Sequence, residues 1–162
     1  MRVTYQTDYA LRLLMYLAVQ PDKACRVADV AEAYSLSRNH LLKVALRLGK
    51  LGYVKTLRGR AGGIALARSP EEINLGQVIR QMEDSFALVE CMGAGGGACV
   101  ISPACKLKGV FRKALNAFLA VFDAHTLADI VVNSADLFEL LAVVGETSSP
   151  KHSADGPGGQ LA

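Results

Sequence analysis

Three cysteines, Cys91, Cys99 and Cys105, fall within fifteen residues, and the first two are separated by Met92-Gly93-Ala94-Gly95-Gly96-Gly97-Ala98. Thiolates bind soft and borderline metals strongly. A spacer of small residues lets a chain fold tightly around an inorganic centre and offer backbone N–H groups to its sulfur atoms. The chemistry indicated is ligation, with one ligand of a four-ligand set missing from the loop. The spacings, seven and five intervening residues, exceed the roughly two to four of structural zinc sites and match no ferredoxin pattern. They leave an iron–sulfur cluster, zinc, a redox thiol switch and unligated structural cysteines open, in that order for the two metal centres. Cys25 stands apart and reads as a small buried or half-buried thiol.

The same loop carries a literal G-x-G-x-x-A over Gly93 to Ala98. A dinucleotide site needs a strand before that motif, a helix directly after it and an acid about twenty residues on. Here cysteines flank it and Lys113 to Ala117 contains no carboxylate, so the match carries no cofactor. The three histidines form no nucleophile–base constellation, which speaks against an enzyme.

The elements that must position the cysteines belong to a chain of 162 residues, one domain or a small domain with an oligomerisation element. Although 51% of residues are hydrophobic, no uncharged apolar run reaches the roughly 18 to 20 residues needed to span a bilayer. The N-terminus lacks signal-peptide features. The expectation is a cytoplasmic protein without a membrane partner, in a compartment that keeps thiols reduced. Charge is divided: Met1 to Pro70 carries a net +8 and Glu71 to Ala162 a net −5. Arg38 to Arg60 holds seven basic residues and no acidic one, the footprint of a phosphate-backbone contact.

Periodicity predicts a helix capped by Thr7 and running to about Val19, a short helix from about Val27 to Tyr34, and a third from an N-cap at Ser37 to about Leu51. This is a helix-turn-helix layout. On the third helix Leu41, Val44, Ala45, Leu48 and Leu51 fall on one side; Asn39, His40, Lys43, Arg47 and Lys50 fall on the other. Asn, His and Arg can hydrogen-bond base edges, and the cations can hold phosphates. Strands at Tyr53 to Leu57 and Gly63 to Ala67, joined by Arg58-Gly59-Arg60-Ala61-Gly62, form a basic wing. The expected partner is double-stranded DNA. Its contacts are assigned to Ser37, Arg38, Asn39, His40, Lys43 and Arg47, with Arg58 and Arg60 at the wing tip.

Asn74 caps a helix bearing Leu75, Val78, Ile79 and Met82, and Ser102-Pro103 predicts the start of the longest helix, reaching Phe122 or Ala124. Its stripe of Leu107, Val110, Phe111, Ala114, Phe118, Val121 and Phe122 exceeds what one partner helix covers, so pairing with a second subunit is expected. Thr126 and Ser134 predict caps of two short helices. The fold class is mostly α: a winged helix-turn-helix domain over 1–84, a cluster-binding loop over 85–106, a dimerisation helix with short C-terminal helices over 103–144, and a Gly/Ser/Pro-rich disordered tail over 145–162.

Together these features resemble a known family. The residues that carry the resemblance are Thr7 to Arg12, Ser37-Arg38-Asn39-His40-Leu41-Leu42-Lys43-Val44, the wing from Arg58 to Ile64, and the three-cysteine loop before a long helix. They look like the winged helix-turn-helix iron–sulfur repressors that include IscR. Ser-Arg-Asn-His and Ser102-Pro103-Ala104-Cys105-Lys106-Leu107-Lys108 favour the NsrR-type, nitric-oxide-sensing branch. The resemblance implies a homodimer that binds palindromic operators and releases them when nitric oxide reacts with a 4Fe-4S cluster, 2Fe-2S being the alternative. It implies ligation by Cys91, Cys99 and Cys105, with Asp8 of the other subunit as fourth ligand and Arg12 orienting that carboxylate. The related alternative is a regulator sensing cluster supply or redox state. The seven-residue first spacer is longer than is usual in the family.

Overall fold

The computed structural model describes residues 3–21, 23–59, 62–93 and 95–147, with side chains as far as Leu141 in the last helix. The elements are α1 (Tyr5–Ala18), α2 (Val27–Ala33), α3 (Arg38–Lys50), β1 (Val54–Leu57), β2 (Gly63–Leu66), α4 (Leu75–Met82), α5 (Leu107–Asp123), α6 (Leu127–Ile130) and α7 (Ser134–Thr147), with 3-10 turns at Pro70–Glu72 and Glu90–Met92.

The main core forms where the apolar faces of α1, α2, α3 and α4 meet. Leu13, Leu14 and Leu17 of α1 pack with Val30 of α2, Leu41 and Leu48 of α3, and Val78 and Met82 of α4. Tyr53 and Ile64 bring the hairpin into the same cluster, and Leu127 brings α6. A smaller cluster of Ile79, Leu115 and Leu119 joins α5 to α4, with Phe86, Leu88 and Met92 packed against it. That second cluster fixes where the cysteine loop begins.

β1 and β2 are antiparallel, with Val54 opposite Leu66 and Leu57 opposite Gly63. Cys25 bridges to β2 from outside the hairpin: its N–H donates to the Ile64 carbonyl at 2.9 Å, and the Ile64 N–H donates back to the Cys25 carbonyl at 2.8 Å. Gly63 makes that approach feasible, since a β-carbon there would lie 2.6 Å from the Cys25 carbonyl oxygen. Gly63→Ala is therefore expected to displace the strand from this clip and cost on the order of 1–3 kcal/mol. Thermal unfolding followed by circular dichroism checks this, and an unchanged midpoint would show that the clip yields freely. Cys25 itself is 3% exposed, in keeping with its expected buried place.

Several boundaries differ from the sequence expectations. The cap of α1 is Thr4, whose hydroxyl accepts from the Thr7 N–H at 3.4 Å, and Thr7 lies inside the helix, fully buried. The Thr4 N–H and hydroxyl both donate to Glu83 Oε1, at 2.8 and 3.0 Å, a tertiary anchor that settles which threonine caps. α5 begins at Leu107, not Pro103: Ser102-Pro103 lies in a turn closed by the Ala104 N–H on the Ile101 carbonyl at 3.0 Å. Ser-Pro initiates turns as readily as helices, and here the turn serves the approach to Cys105. Ser134 is the first residue of α7 and not its cap. α7 is a fourteen-residue helix that runs through Gly145 to Thr147, so the first residues expected in the tail are helical. Residues 148–162 lie outside the described residues. Asn74 and Thr126 cap as expected, each accepting from the backbone N–H three residues on.

Candidate DNA-reading surface and cysteine loop

α3 buries Leu41, Val44, Ala45 and Leu48 and turns its other face to solvent. Ser37 stands at the N-cap position, exposed and without a side-chain capping bond. Arg38, Asn39, His40 and Lys43 are all exposed along the first turns of α3. His40 and Lys43 also border a cleft of about 540 Å³ between α3 and the start of α1, facing Tyr5 and Tyr9. Arg58 is exposed at the end of β1. Arg60 lies outside the described residues.

Arg47 is placed differently from its neighbours. Its guanidinium donates to the Gln81 carbonyl at 2.8 Å, to Asp84 Oδ1 at 3.1 Å and to Gln6 Oε1 at 3.2 Å. It thereby ties α3 to the start of α1 and to the segment leaving α4. Projection on a helical wheel groups Arg47 with the cations. The acceptors that occupy it come from 34 to 41 residues away, so nothing local in the sequence announced them.

Leu42 and Leu46 were missed as outward-facing residues. They are 38% and 68% exposed, and Leu57 of β1 is 39% exposed close by in sequence to the wing tip. The signal was available: both fall off the Leu41/Val44/Leu48 stripe when α3 is stepped at 100° per residue.

A basic, acid-free surface such as that of α3 and β1 is suited to a sequence-independent grip on DNA phosphates. Arg58→Ala is expected to weaken operator binding a few-fold and to lower the slope of log affinity against log salt by about one unit. An unchanged slope in a salt titration would mean Arg58 touches no phosphate.

The cysteine loop is a run of tight turns. Gly93 N–H donates to the Glu90 carbonyl, Gly96 N–H to the Gly93 carbonyl, and Ser102 N–H to the Cys99 carbonyl, each at 3.0 Å. Gly96 and Gly97 have φ of +69° and +67°, a conformation that L side chains rarely adopt. They fold the spacer back so far that a β-carbon on Gly97 would lie 3.2 Å from the Cys91 backbone. The long spacer thus returns to its starting point two residues before Cys99. All four cysteines are free thiols; Cys91 and Cys105 are half-buried and Cys99 is exposed.

Asp8 sits in the first turn of α1, half-exposed, and Arg12 holds it from one turn on, with Nε on Oδ1 at 3.0 Å and Nη2 on Oδ2 at 2.9 Å. The Arg12 guanidinium also lies 5.9 Å from the centre of the Tyr34 ring. Among the described residues no three His, Cys, Asp or Glu side chains are gathered closely enough to hold a single metal ion. The donor set nevertheless suits an iron–sulfur group, in which each iron takes its own thiolate: three free thiols on a glycine-turned cradle that a single added β-carbon would crowd.

α5 is held to α4 by Arg80 and Asp123, which pair through both carboxylate oxygens, Nη2 to Oδ2 at 2.8 Å. The Arg80 guanidinium holds the Asp123 carboxyl below its ordinary range. Asn74 Nδ2 adds a bond to the Asp123 carbonyl at 2.7 Å. The cysteine loop is therefore spanned between two helices that are pinned to each other at the far end.

A helix-turn-helix with a two-stranded wing and a basic, acid-free outward helix face defines a DNA-binding transcriptional regulator of the winged helix-turn-helix class. Residues 3–133 match the family model described as Rrf2, iron-dependent transcriptional regulator, and the chain belongs to the Rrf2 family. It is 52% identical over 142 residues to the HTH-type transcriptional regulator NsrR of Bacillus subtilis (strain 168), covering 87% of this chain and 97% of that one. The NsrR of Shouchella clausii (strain KSM-K16) is 51% identical over 142 residues, covering 87% and 95%. Of solved structures, T. potens IscR superimposes with a TM-score of 0.68 at 27% identity, over 85% of this chain and 90% of that one. CymR, the global cysteine regulator of B. subtilis, gives a TM-score of 0.65 at 25% identity, over 80% and 95%. These relatives are regulators, not enzymes. No helix among the described residues is long and apolar enough to cross a membrane.

Proposed function

We propose that the chain is a cytoplasmic, nitric-oxide-responsive repressor that binds palindromic operators as a homodimer and holds a 4Fe-4S cluster on Cys91, Cys99 and Cys105, with Asp8 of the other subunit as fourth ligand. What carries this reading is three free thiols on one glycine-turned loop, between the DNA-reading half and the long helix, in a chain half-identical to regulators named NsrR. When bound, such a cluster supplies iron to which nitric oxide can add.

The chain's own residues have separable tasks. Gly96 and Gly97 return the spacer so that Cys91 and Cys99 can serve one group. Arg12 fixes the rotamer of Asp8, leaving its carboxylate half-exposed at the surface where a partner's loop can reach it. An oxygen ligand is harder than thiolate and is the position most readily given up to a diatomic ligand.

The homodimer is supported by a division of labour on α5. Leu115 and Leu119 face the chain's own core. Leu107, Val110, Ala114, Ala117 and Val121 are exposed and recur at alternating spacings of three and four, the period of a helix–helix seam. Pairing along it would set two α3 helices apart, and reading two half-sites requires roughly 34 Å between them.

Anaerobic purification, an absorption spectrum, and an operator gel shift with and without nitric oxide test the proposal together. Iron–sulfur absorption and DNA release on nitric oxide are expected. Release on oxidant or iron limitation, but not on nitric oxide, would replace this reading with a sensor of redox state or cluster supply.

A further inference from the structure

The outward face of α3 is not wholly polar. Leu42 and Leu46, one turn apart, are 38% and 68% exposed. They border a groove of about 520 Å³ that runs from Val27 past Ala45 to Val54 and Ile64 beneath the wing. The core does not need them, because Leu41, Val44, Ala45 and Leu48 already fill the inward face. Single exposed leucines are ordinary on protein surfaces; two stacked on the helix that reads DNA, beside its base-reading Asn39, are not explained by the hydrogen-bonding and phosphate contacts assigned above.

Resting on the proposed reading of α3 as the DNA-contacting helix, we infer that Leu42 and Leu46 are specificity-determining residues that receive the C5-methyl groups of thymines in the operator's major groove. Thymine alone among the four DNA bases presents an apolar group there. Asn39 and Leu46 are one heptad apart and so differ by only about 20° around the helix. Asn39 is suited to the paired donor and acceptor of adenine, so the face combines one polar and one apolar reader of A·T pairs. Leu42 and Leu46 differ by about 6 Å along the axis, which corresponds to roughly two base-pair steps of 3.4 Å.

Charge selects the occupant. Arg38, Lys43 and Lys50 are exposed on α3 and Lys55 on β1, with no acidic residue from Arg38 to Arg68. A second copy docking by the same face would set these cations against their equivalents. A polyanion is drawn to them, and it brings the leucines against base edges and not against another protein.

The test begins with an operator selected by the anaerobically purified full chain from a randomised DNA duplex pool. Affinity is then measured for that duplex and for copies in which thymines are replaced by deoxyuracil, singly and together. This replacement removes the methyl group and keeps base pairing and charge. The unaltered protein should lose roughly four-fold for one recognised methyl and on the order of ten-fold for two. Leu42→Ala with Leu46→Ala should bind the thymine duplex about as weakly as the unaltered protein binds the deoxyuracil one, and should no longer distinguish them. Equal affinity of the unaltered protein for both duplexes would overturn the inference without requiring any variant to fold. So would a double variant that keeps the full thymine preference, which would leave the leucines to a protein partner.

Discussion

Asp8→Ala is expected to strip or destabilise the proposed cluster while leaving the cluster-free fold intact. Asp8 is half-exposed and pairs through its side chain with Arg12 at i+4, an arrangement worth about 0.3–0.5 kcal/mol at a surface. The fold loses little. A ligand to iron is a different matter: even outer groups that only orient ligands change metal affinity by about 10–100-fold, so loss of a direct ligand should be at least that large. Asp8→Cys restores a thiolate at the same place and should recover the absorption spectrum but blunt the response to nitric oxide. Arg12→Ala should fall between, because the carboxylate remains but its rotamer is no longer set. Spectra and nitric oxide titrations of the three variants decide the matter. Unchanged retention and response in Asp8→Ala would remove Asp8 from the ligand set while leaving the cysteine assignment standing.

Arg47→Ala is expected to lower operator affinity several-fold and to cost roughly 1–3 kcal/mol of stability, without changing the salt dependence of binding. Its guanidinium is engaged by Gln6, Gln81 and Asp84, so the loss arises from an unanchored α3 and not from a missing phosphate contact. A cation that meets phosphate would behave otherwise: the salt slope would fall by about one unit and stability would hardly change. The sequence places Arg47 with the DNA-contacting cations, and this pair of measurements separates the two roles. Asp84→Asn supplies the complement, since it loosens the same tie from the far side without touching any residue on α3.

What the sequence reveals is what local chemistry determines. The apolar stripe of α3, the Asn74 and Thr126 caps and the glycine-bounded hairpin each depend on residues within a few positions of one another, and each appears where expected. The Asp8 and Arg12 pair is likewise a one-turn relation. The misplaced features depend on distant partners. Glu83 selects Thr4 over Thr7 as the cap of α1, and turns closing on Ile101 and Cys99 take Ser102-Pro103 out of α5. Of the apolar stripe expected on the long helix, Leu107, Val110 and Val121 are exposed, while Phe118 and Phe122 pack against the chain's own cluster around Leu115 and Leu119, which lie outside that stripe. At the cysteine loop, counting residues overstated the separation of Cys91 and Cys99. Two left-handed glycines cancel most of the spacer's length.

The Cys25 clip gives the protein a chemical clock. Its thiol takes no part in the backbone bonds to Ile64, is sealed beneath the hairpin, and is pushed up in pKa by that burial, so it offers little thiolate. Cys99 lies open to solvent and Cys91 and Cys105 partly so. An alkylating reagent should therefore label three positions on the native, cluster-free chain promptly and the fourth only when the hairpin leaves α1 and α2. The delay before the fourth label measures how often the wing opens.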